Sequence, residues 1–159
     1  MNKKIFAILS LLILAIICMG TASAFDLGSL FGGDNSSTGE NITIDGTNYY
    51  IPAGFEEIKN ESRNNHSEYI NSIKVLTNGK TYANNKTAEV ISICIATYEG
   101  LEVIDDTARD VGNEKKTIKG IDGYTYEDGN ITGFVYANNG KLAIITTNNA
   151  TLIDQVIVG

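Results

Sequence analysis

The chain has 159 residues, 43% of them apolar, and a formal net charge of −7 at pH 7. This length and this apolar content suit one globular domain with one modest core. The acidic charge excludes nucleic acid and anionic lipid as expected partners, because it repels both.

The first 24 residues have the three-part layout of a secretory leader. Two lysines precede an apolar run from Ile5 to Met19, and Ala22-Ser23-Ala24 follows as a small-residue cleavage site. The apolar run is shorter than the roughly 20 residues of a membrane span. We therefore expect residues 1–24 to be a signal peptide and the protein to be secreted or held at the cell surface. The alternative is a leader that stays on as a membrane anchor, which would be the one contact with the membrane.

Seven Asn-x-Ser/Thr sequences, from seventeen asparagines, also favour export, since such sites accept N-linked glycans in exporting cells that have the machinery. The candidate sites are Asn35, Asn41, Asn60, Asn65, Asn85, Asn130 and Asn149. Of the two cysteines, Cys18 lies in the leader, so Cys94 has no partner for a disulfide within the mature chain.

Residues 25–40 are rich in Gly and Ser and predict a flexible linker, so the single domain is expected over 41–159. Within it, Asp45-Gly46 predicts a hairpin between strands at 42–44 and 47–51, and Asn78-Gly79 predicts a second hairpin within 71–82. The polar stretch between them, 56–69, predicts a loop or a poorly ordered helix.

The second half of the domain begins with the most apolar strand pattern, over 88–98, which predicts a central strand covered on both faces. Apolar residues then recur at helical spacing over 100–111, with Gly112 as a C-cap. A strand run over 115–119 leads into three strand-like segments and a terminal helix over 120–159, which Asn148 or Asn149 can cap. The pattern predicts an α+β fold: one antiparallel, at most mixed, sheet of about six to seven strands with a mid-chain and a C-terminal helix.

Several segments resemble small secreted proteins of methanogenic archaea of the Methanobacteria type, whose functions are mostly unassigned. They are FDLGSLFGG (25–33), IPAGF (51–55), KGIDGYTY (119–126) and FVYANNGKLAIIT (134–146). The arrangement is more distantly similar to the fold of the photosystem subunit PsbP and its relatives, a sheet with packed helices. That resemblance implies an accessory or binding protein and brings no catalytic residue with it.

Candidates for chemistry are few. Cys94 and His66 are the one mature cysteine and the one histidine, in a predicted strand and a polar stretch, so we expect a buried thiol and a solvated imidazole. They cannot supply the four ligands of a closed zinc site, and Asp122, Glu127 and Asp128 lack the spacing of a calcium loop. We therefore expect no catalytic residue, no metal site and no cofactor.

Tyrosines on predicted strands offer one binding surface. Tyr124, Tyr126 and Tyr136 lie in the C-terminal strands, where alternating rings can present a surface to a glycan or a protein. The alternative is that the rings pack at the edges of the sheet.

The leading hypothesis is an exported, non-catalytic binding or accessory domain whose partner is a cell-envelope protein or a glycan. One alternative is a small secreted hydrolase that uses two carboxylates facing each other across a cleft. The neighbouring acids Glu56-Glu57 and Asp105-Asp106 do not predict such a pair, because sequence neighbours do not face each other. A structural protein of the envelope is the other alternative, and the sequence indicates no oligomeric state.

Overall fold

The computed structural model describes residues 38–70 and 72–159. The predicted leader and residues 25–37 of the predicted linker lie outside the described residues. Within those ranges the chain forms ten strands, two short α-helices and one 3-10 turn. The strands are β1 (Glu40–Ile44), β2 (Thr47–Ile51), β3 (Glu56–Glu57), β4 (Arg63–Ile70), β5 (Ile73–Asn84), β6 (Glu89–Tyr98), β7 (Glu114–Ile118), β8 (Ile121–Asp128), β9 (Ile131–Asn138) and β10 (Lys141–Thr147). The helices are α1 (Asp105–Arg109) and α2 (Thr151–Val156), and the 3-10 turn is Lys59–Glu61.

Eight strands form one antiparallel sheet in the order β3-β5-β6-β10-β9-β8-β7, with β4 also paired to β5. Strands β1 and β2 form a separate hairpin. The fold is therefore a β-rich α+β fold, as predicted. The main sheet has eight strands rather than six to seven, because the polar stretch before β5 contributes β3 and β4.

One face of the sheet carries the larger core. Ile91, Ile93 and Ile95 project to this face from β6, and the β1–β2 hairpin and α2 pack on it. Tyr49 of the hairpin forms an isolated bridge with Ile157 just after α2, which joins the two covering elements. Full burial of an isoleucine contributes roughly 1.5–3 kcal/mol, so this strand is a main source of stability.

The opposite face carries a second core. Cys94, Ala96 and Tyr98 project to it from β6, and Ala108 of α1 packs in the same cluster. The prediction that the strand over 88–98 is central and covered on both faces is thus confirmed.

The second predicted hairpin is wrong. Asn78 and Gly79 lie inside β5, where they pair with Ile95 and Cys94 of β6 in a continuous ladder. A Cβ atom at Gly79 would lie 2.9 Å from the carbonyl oxygen of Ile93, so this glycine allows a close backbone approach rather than a turn. The long ladder with β6 outweighs the local turn preference.

The polar stretch over 56–69 forms β3, the 3-10 turn and β4, not a loop or a helix. Strand β4 lies at the edge of the sheet, paired with β5 on one side. Most of its side chains are exposed to solvent, so the strand needs no apolar alternation. That is why its sequence carries no strand pattern.

The mid-chain helix is shorter than the predicted span of 100–111. Ala108 is buried as expected, but Ile104 is 54% exposed because the chain becomes helical only after it. The N–H of Gly112 donates to the carbonyl of Ala108 at 3.0 Å, and a Cβ atom on this glycine would overlap Tyr124. Gly112 therefore serves close packing against β8 and is not a left-handed C-cap.

The C-terminal stretch agrees with its prediction. Strands β8, β9 and β10 form a meander whose turns place Gly129 and Gly140 at φ 60° and 75°, a region that favours glycine. The side-chain oxygen of Asn149 accepts a hydrogen bond from the N–H of Thr151 at the start of α2. Over the two described ranges, no helix has the length and apolarity needed to cross a bilayer.

Candidate binding groove

A groove of about 450 Å³ opens beside the larger core, within the roughly 300–1,000 Å³ typical of ligand sites. It lies between the tip of the β1–β2 hairpin, the segment that joins β3 to β4, and the middle of β5. Five of its eleven lining residues are charged: Asp45, Glu57, Lys59, Arg63 and Lys80. Thr43, Ser62, Asn64 and Asn78 add hydroxyl and amide groups. We call this feature the basic groove.

The hairpin tip is held at the groove by its turn and by an ion pair. Asp45 and Gly46 have positive φ values of 47° and 83°, as the Asp-Gly sequence predicts for a tight primed turn. The Asp45 carboxylate then pairs with the Lys141 ammonium at 2.9 Å, which ties the tip to the start of β10. One wall of the groove is therefore anchored to the main sheet.

Glu57 organises the opposite wall. Its carboxylate accepts hydrogen bonds from the Ser62 hydroxyl at 2.8 Å and from the Lys80 ammonium at 3.0 Å. Partial burial alone would raise the pKa of Glu57, but these two bonds and the charges of Lys80 and Lys59 lower it further than burial raises it. Glu57 is therefore ionised at neutral pH and fixes the amine of Lys80 in the groove.

An irregularity in β4 brings further side chains to the groove. The register with β5 shifts between Arg63 and His66, and Asn65 takes a positive φ of 49° there. The N–H of Asn65 donates to the side-chain oxygen of Asn78 at 2.7 Å, which fixes the shift. Arg63, just before the shift, lines the groove.

Two cations of the basic groove form no ion pair with a described residue, although the charge of Lys59 acts on Glu57 from a distance. Of the four ion pairs formed among the described residues, none includes Lys59 or Arg63. Lys59 is exposed and Arg63 is half-buried. Six of the ten basic residues in the described ranges form no ion pair, and Lys59 and Arg63 are the two of these six that line the groove.

A second concave region, of about 340 Å³, lies on the far side of the hairpin, near the C-terminus. Two of its polar side chains already have partners: the Tyr136 hydroxyl lies 3.0 Å from the hydroxyl of buried Tyr49, and the Asn138 amide donates to Thr47 at 2.7 Å. Burial raises the pKa of Tyr49 far above its usual range, so this hydroxyl stays neutral. The region is better explained as support for the hairpin than as a binding site.

The three tyrosines predicted as a binding surface lie inside the protein. Tyr124, Tyr126 and Tyr136 are 5%, 6% and 2% exposed. The first two pack in the core on the α1 face and the third in the core under the hairpin, so they do not share a surface. The expectation of one exposed tyrosine face is corrected, because helices and the hairpin cover both faces of these strands.

The structure does not bring Cys94 and His66 together. His66 is exposed on the edge strand β4, whereas Cys94 is buried in β6, and β5 separates the two strands by a total of about 10 Å. Burial raises the pKa of the Cys94 thiol to about 12. Neither residue provides an activated nucleophile.

Three of the acids singled out in the sequence have local structural partners. Asp105 accepts a hydrogen bond from the Tyr124 hydroxyl at 2.8 Å, and Asp106 pairs with Arg109 at 2.9 Å. Asp122 accepts a hydrogen bond from Thr117. In the part of the chain that the structure describes, no three His, Cys, Asp or Glu side chains are close enough to hold a metal ion.

The predicted glycosylation sites differ in accessibility. Five are exposed: Asn41, Asn60, Asn65, Asn85 and Asn130. Asn149 is half-buried, and its amide nitrogen, the atom to which a glycan would be attached, donates to Glu89 at 2.6 Å. Asn35 lies outside the described residues.

No protein-family model, curated protein or solved structure matches this chain. The basic groove was missed in the sequence because its residues come from three separate segments. For two of these segments, 56–69 and 78–80, the sequence predicts a local structure that differs from the observed strands. The sequence shows the individual charges of Lys59, Arg63 and Lys80. It does not indicate that these three residues meet in one site.

Proposed function

We propose that the protein is an exported, non-catalytic binding domain that acts at the cell surface or outside the cell, and that the basic groove is its binding site. The observation that carries this proposal is that Lys59 and Arg63, which form no ion pair, line the same concave site of an acidic protein. The predicted leader and the exposed sequons support export. The same proposal includes the resemblance to secreted archaeal proteins. It also describes the fold more finely as a PsbP-like sandwich, and both points favour an accessory role.

A secreted hydrolase is the second candidate, and one observation favours it. Asp45 and Glu57 line the same groove from different walls, as two carboxylates that act across a cleft would. Each of them pairs with a lysine, however, and the low pKa of Glu57 keeps it ionised. A glycosidase needs one carboxyl that remains protonated near neutral pH, so binding is the better-supported function.

Blocking the groove tests the binding proposal. Asn64 is exposed at the groove lining, so Asn64→Trp would fill the groove without altering either core. We expect the purified protein to sediment with insoluble envelope material of the source cells and Asn64→Trp to remain in the supernatant. Asn85→Trp, at an exposed site outside the groove lining, is the matched control. Equal sedimentation of wild type and Asn64→Trp would contradict the proposal.

The hydrolase candidate has its own test. We expect no new reducing ends when the protein is incubated with the same envelope material or with a set of polysaccharides. Release of reducing ends that is lost in Glu57→Gln would replace the binding proposal with the hydrolase. A third outcome would instead favour a structural envelope role. In that case the envelope material dissolves less readily in the presence of the protein, and Asn64→Trp has the same effect as the wild type.

A further inference from the structure

We infer that the ligand of the basic groove is an acidic polysaccharide, whose sugar rings carry carboxylate or sulfate groups. This inference rests on the proposed function, since it names the ligand class of that same site.

The charge balance of the groove selects an anion. Three basic and two acidic residues line the groove. Glu57 pairs with Lys80, and Asp45 pairs with Lys141 outside the lining, so Lys59 and Arg63 are left without an ion pair. An incoming anion would complete the two missing ion pairs, with Lys59 and with Arg63. The Arg63 guanidinium presents a fork of N–H donors that matches the two oxygens of a carboxylate or sulfate group.

The remaining polar groups suit the hydroxyls of a sugar. The two oxygens of Glu57 each accept one hydrogen bond, from Ser62 and from Lys80, and a carboxylate has about four acceptor positions. Glu57 can therefore accept from sugar hydroxyls. The Asn78 side-chain oxygen is used by Asn65, which leaves the Asn78 amide to donate. A small inorganic anion bound by Lys59 and Arg63 would leave the Glu57 carboxylate and the Asn78 amide without a contact to the ligand.

The lining argues against the two other ligand classes. No aromatic side chain lines the groove in the described ranges, so a neutral sugar ring has no flat apolar surface on which to stack. Ile44 is the single large apolar side chain of the lining, so an acidic peptide would find few of the apolar pockets that anchor peptide side chains.

Binding of defined polymers to the purified protein tests this inference. The probes are polygalacturonate, dextran sulfate, neutral dextran and polyglutamate, each measured by isothermal titration. We expect polygalacturonate or dextran sulfate to bind, with the affinity falling as salt is added, and the stronger of the two identifies a carboxylate or a sulfate ligand. Lys59→Gln and Arg63→Gln should each weaken that binding roughly tenfold, the loss of one charge-assisted bond.

Lys116→Gln is the matched control, because this substitution removes the same charge at an exposed position. Lys116 lies on β7, at the opposite edge of the sheet from the groove. Equal weakening by Lys116→Gln would reveal nonspecific charge attraction and overturn the inference. Tighter binding of polyglutamate or of neutral dextran would overturn it in favour of a peptide or a neutral sugar. A last outcome separates this inference from the proposed function. If no polyanion binds the protein or competes with envelope material for it, but Asn64→Trp still abolishes sedimentation, the acidic polysaccharide is the wrong ligand class and the proposed binding function stands.

Discussion

At the scale of single residues, Glu57 makes the contacts that fix one wall of the basic groove. It fixes Lys80 through an ion pair and Ser62 through a hydrogen bond, and it is the one acid of that wall. Its lowered pKa means that folding favours the ionised form. No feature of its sequence distinguished Glu57 from Glu56, because the partners are five and 23 residues away.

The stability that Glu57 contributes depends on pH. Since the folded-state pKa lies below the ordinary value of 4.5, the contribution is complete above pH 4.5 and is lost as the pH falls through the lower folded-state value. We expect Glu57→Gln to reduce the free energy of unfolding by ~0.5 kcal/mol at pH 7, because the pair is partly solvated. Urea unfolding at pH 7 and pH 3 measures this difference, which should narrow at the lower pH. Glu99→Gln, at an exposed site, is the control, and a gap that stays constant with pH would show that the ion pair is not the cause.

Cys94 is the residue whose properties the sequence predicted best. The residue is 4% exposed and burial raises the pKa of its thiol to about 12, so almost no thiolate exists in the folded protein. We expect a thiol-specific disulfide reagent at pH 8 to label Cys94 only when denaturant is present. Rapid labelling of the native protein, followed by absorbance, would mean that this face of the sheet opens.

At the scale of elements, the accuracy of the sequence patterns depended on burial. Strand β6 and the C-terminal meander were predicted because buried strands show apolar patterns and their turns use glycine at positive φ. Strand β4 was not, since an exposed edge strand can be entirely polar. The turn predicted at Asn78-Gly79 was wrong for the opposite reason. These two residues suit a turn locally, but β5 forms ten cross-strand pairs with β6 and those pairs hold them in a strand.

Asn149 links the start of α2 to β6. Its side-chain oxygen accepts from the Thr151 N–H at 3.2 Å, and its amide donates to Glu89 at 2.6 Å. We expect Asn149→Ala to reduce the free energy of unfolding by about 0.5–2 kcal/mol, the usual cost of removing a helix cap. Urea denaturation of this variant beside Asn85→Ala, whose side chain is exposed in a turn, measures the effect. Equal stability of the two variants would show that the cap is not needed.

At the scale of the whole molecule, the fold class could be predicted but the site could not. Local patterns indicate which segments are strands and helices, and hence an α+β fold. The order of the strands, and the position of the hairpin over one face, depend on contacts between distant residues. The basic groove depends on that position, because the hairpin supplies one of its walls. The hairpin also covers Tyr136, whereas Tyr124 and Tyr126 are buried in the core on the α1 face.

The central claim is that the protein binds its ligand in the basic groove. The most direct test is a titration of ¹⁵N-labelled protein with soluble oligosaccharide fragments of the envelope material, followed by amide chemical shifts. We predict that the shifted amides cluster at 43–45, 57–64 and 78–80, and that Arg63→Gln reduces the shifts at a given ligand concentration. Shifts concentrated at the β7–β8 edge, or shifts that Arg63→Gln leaves unchanged, would contradict the claim.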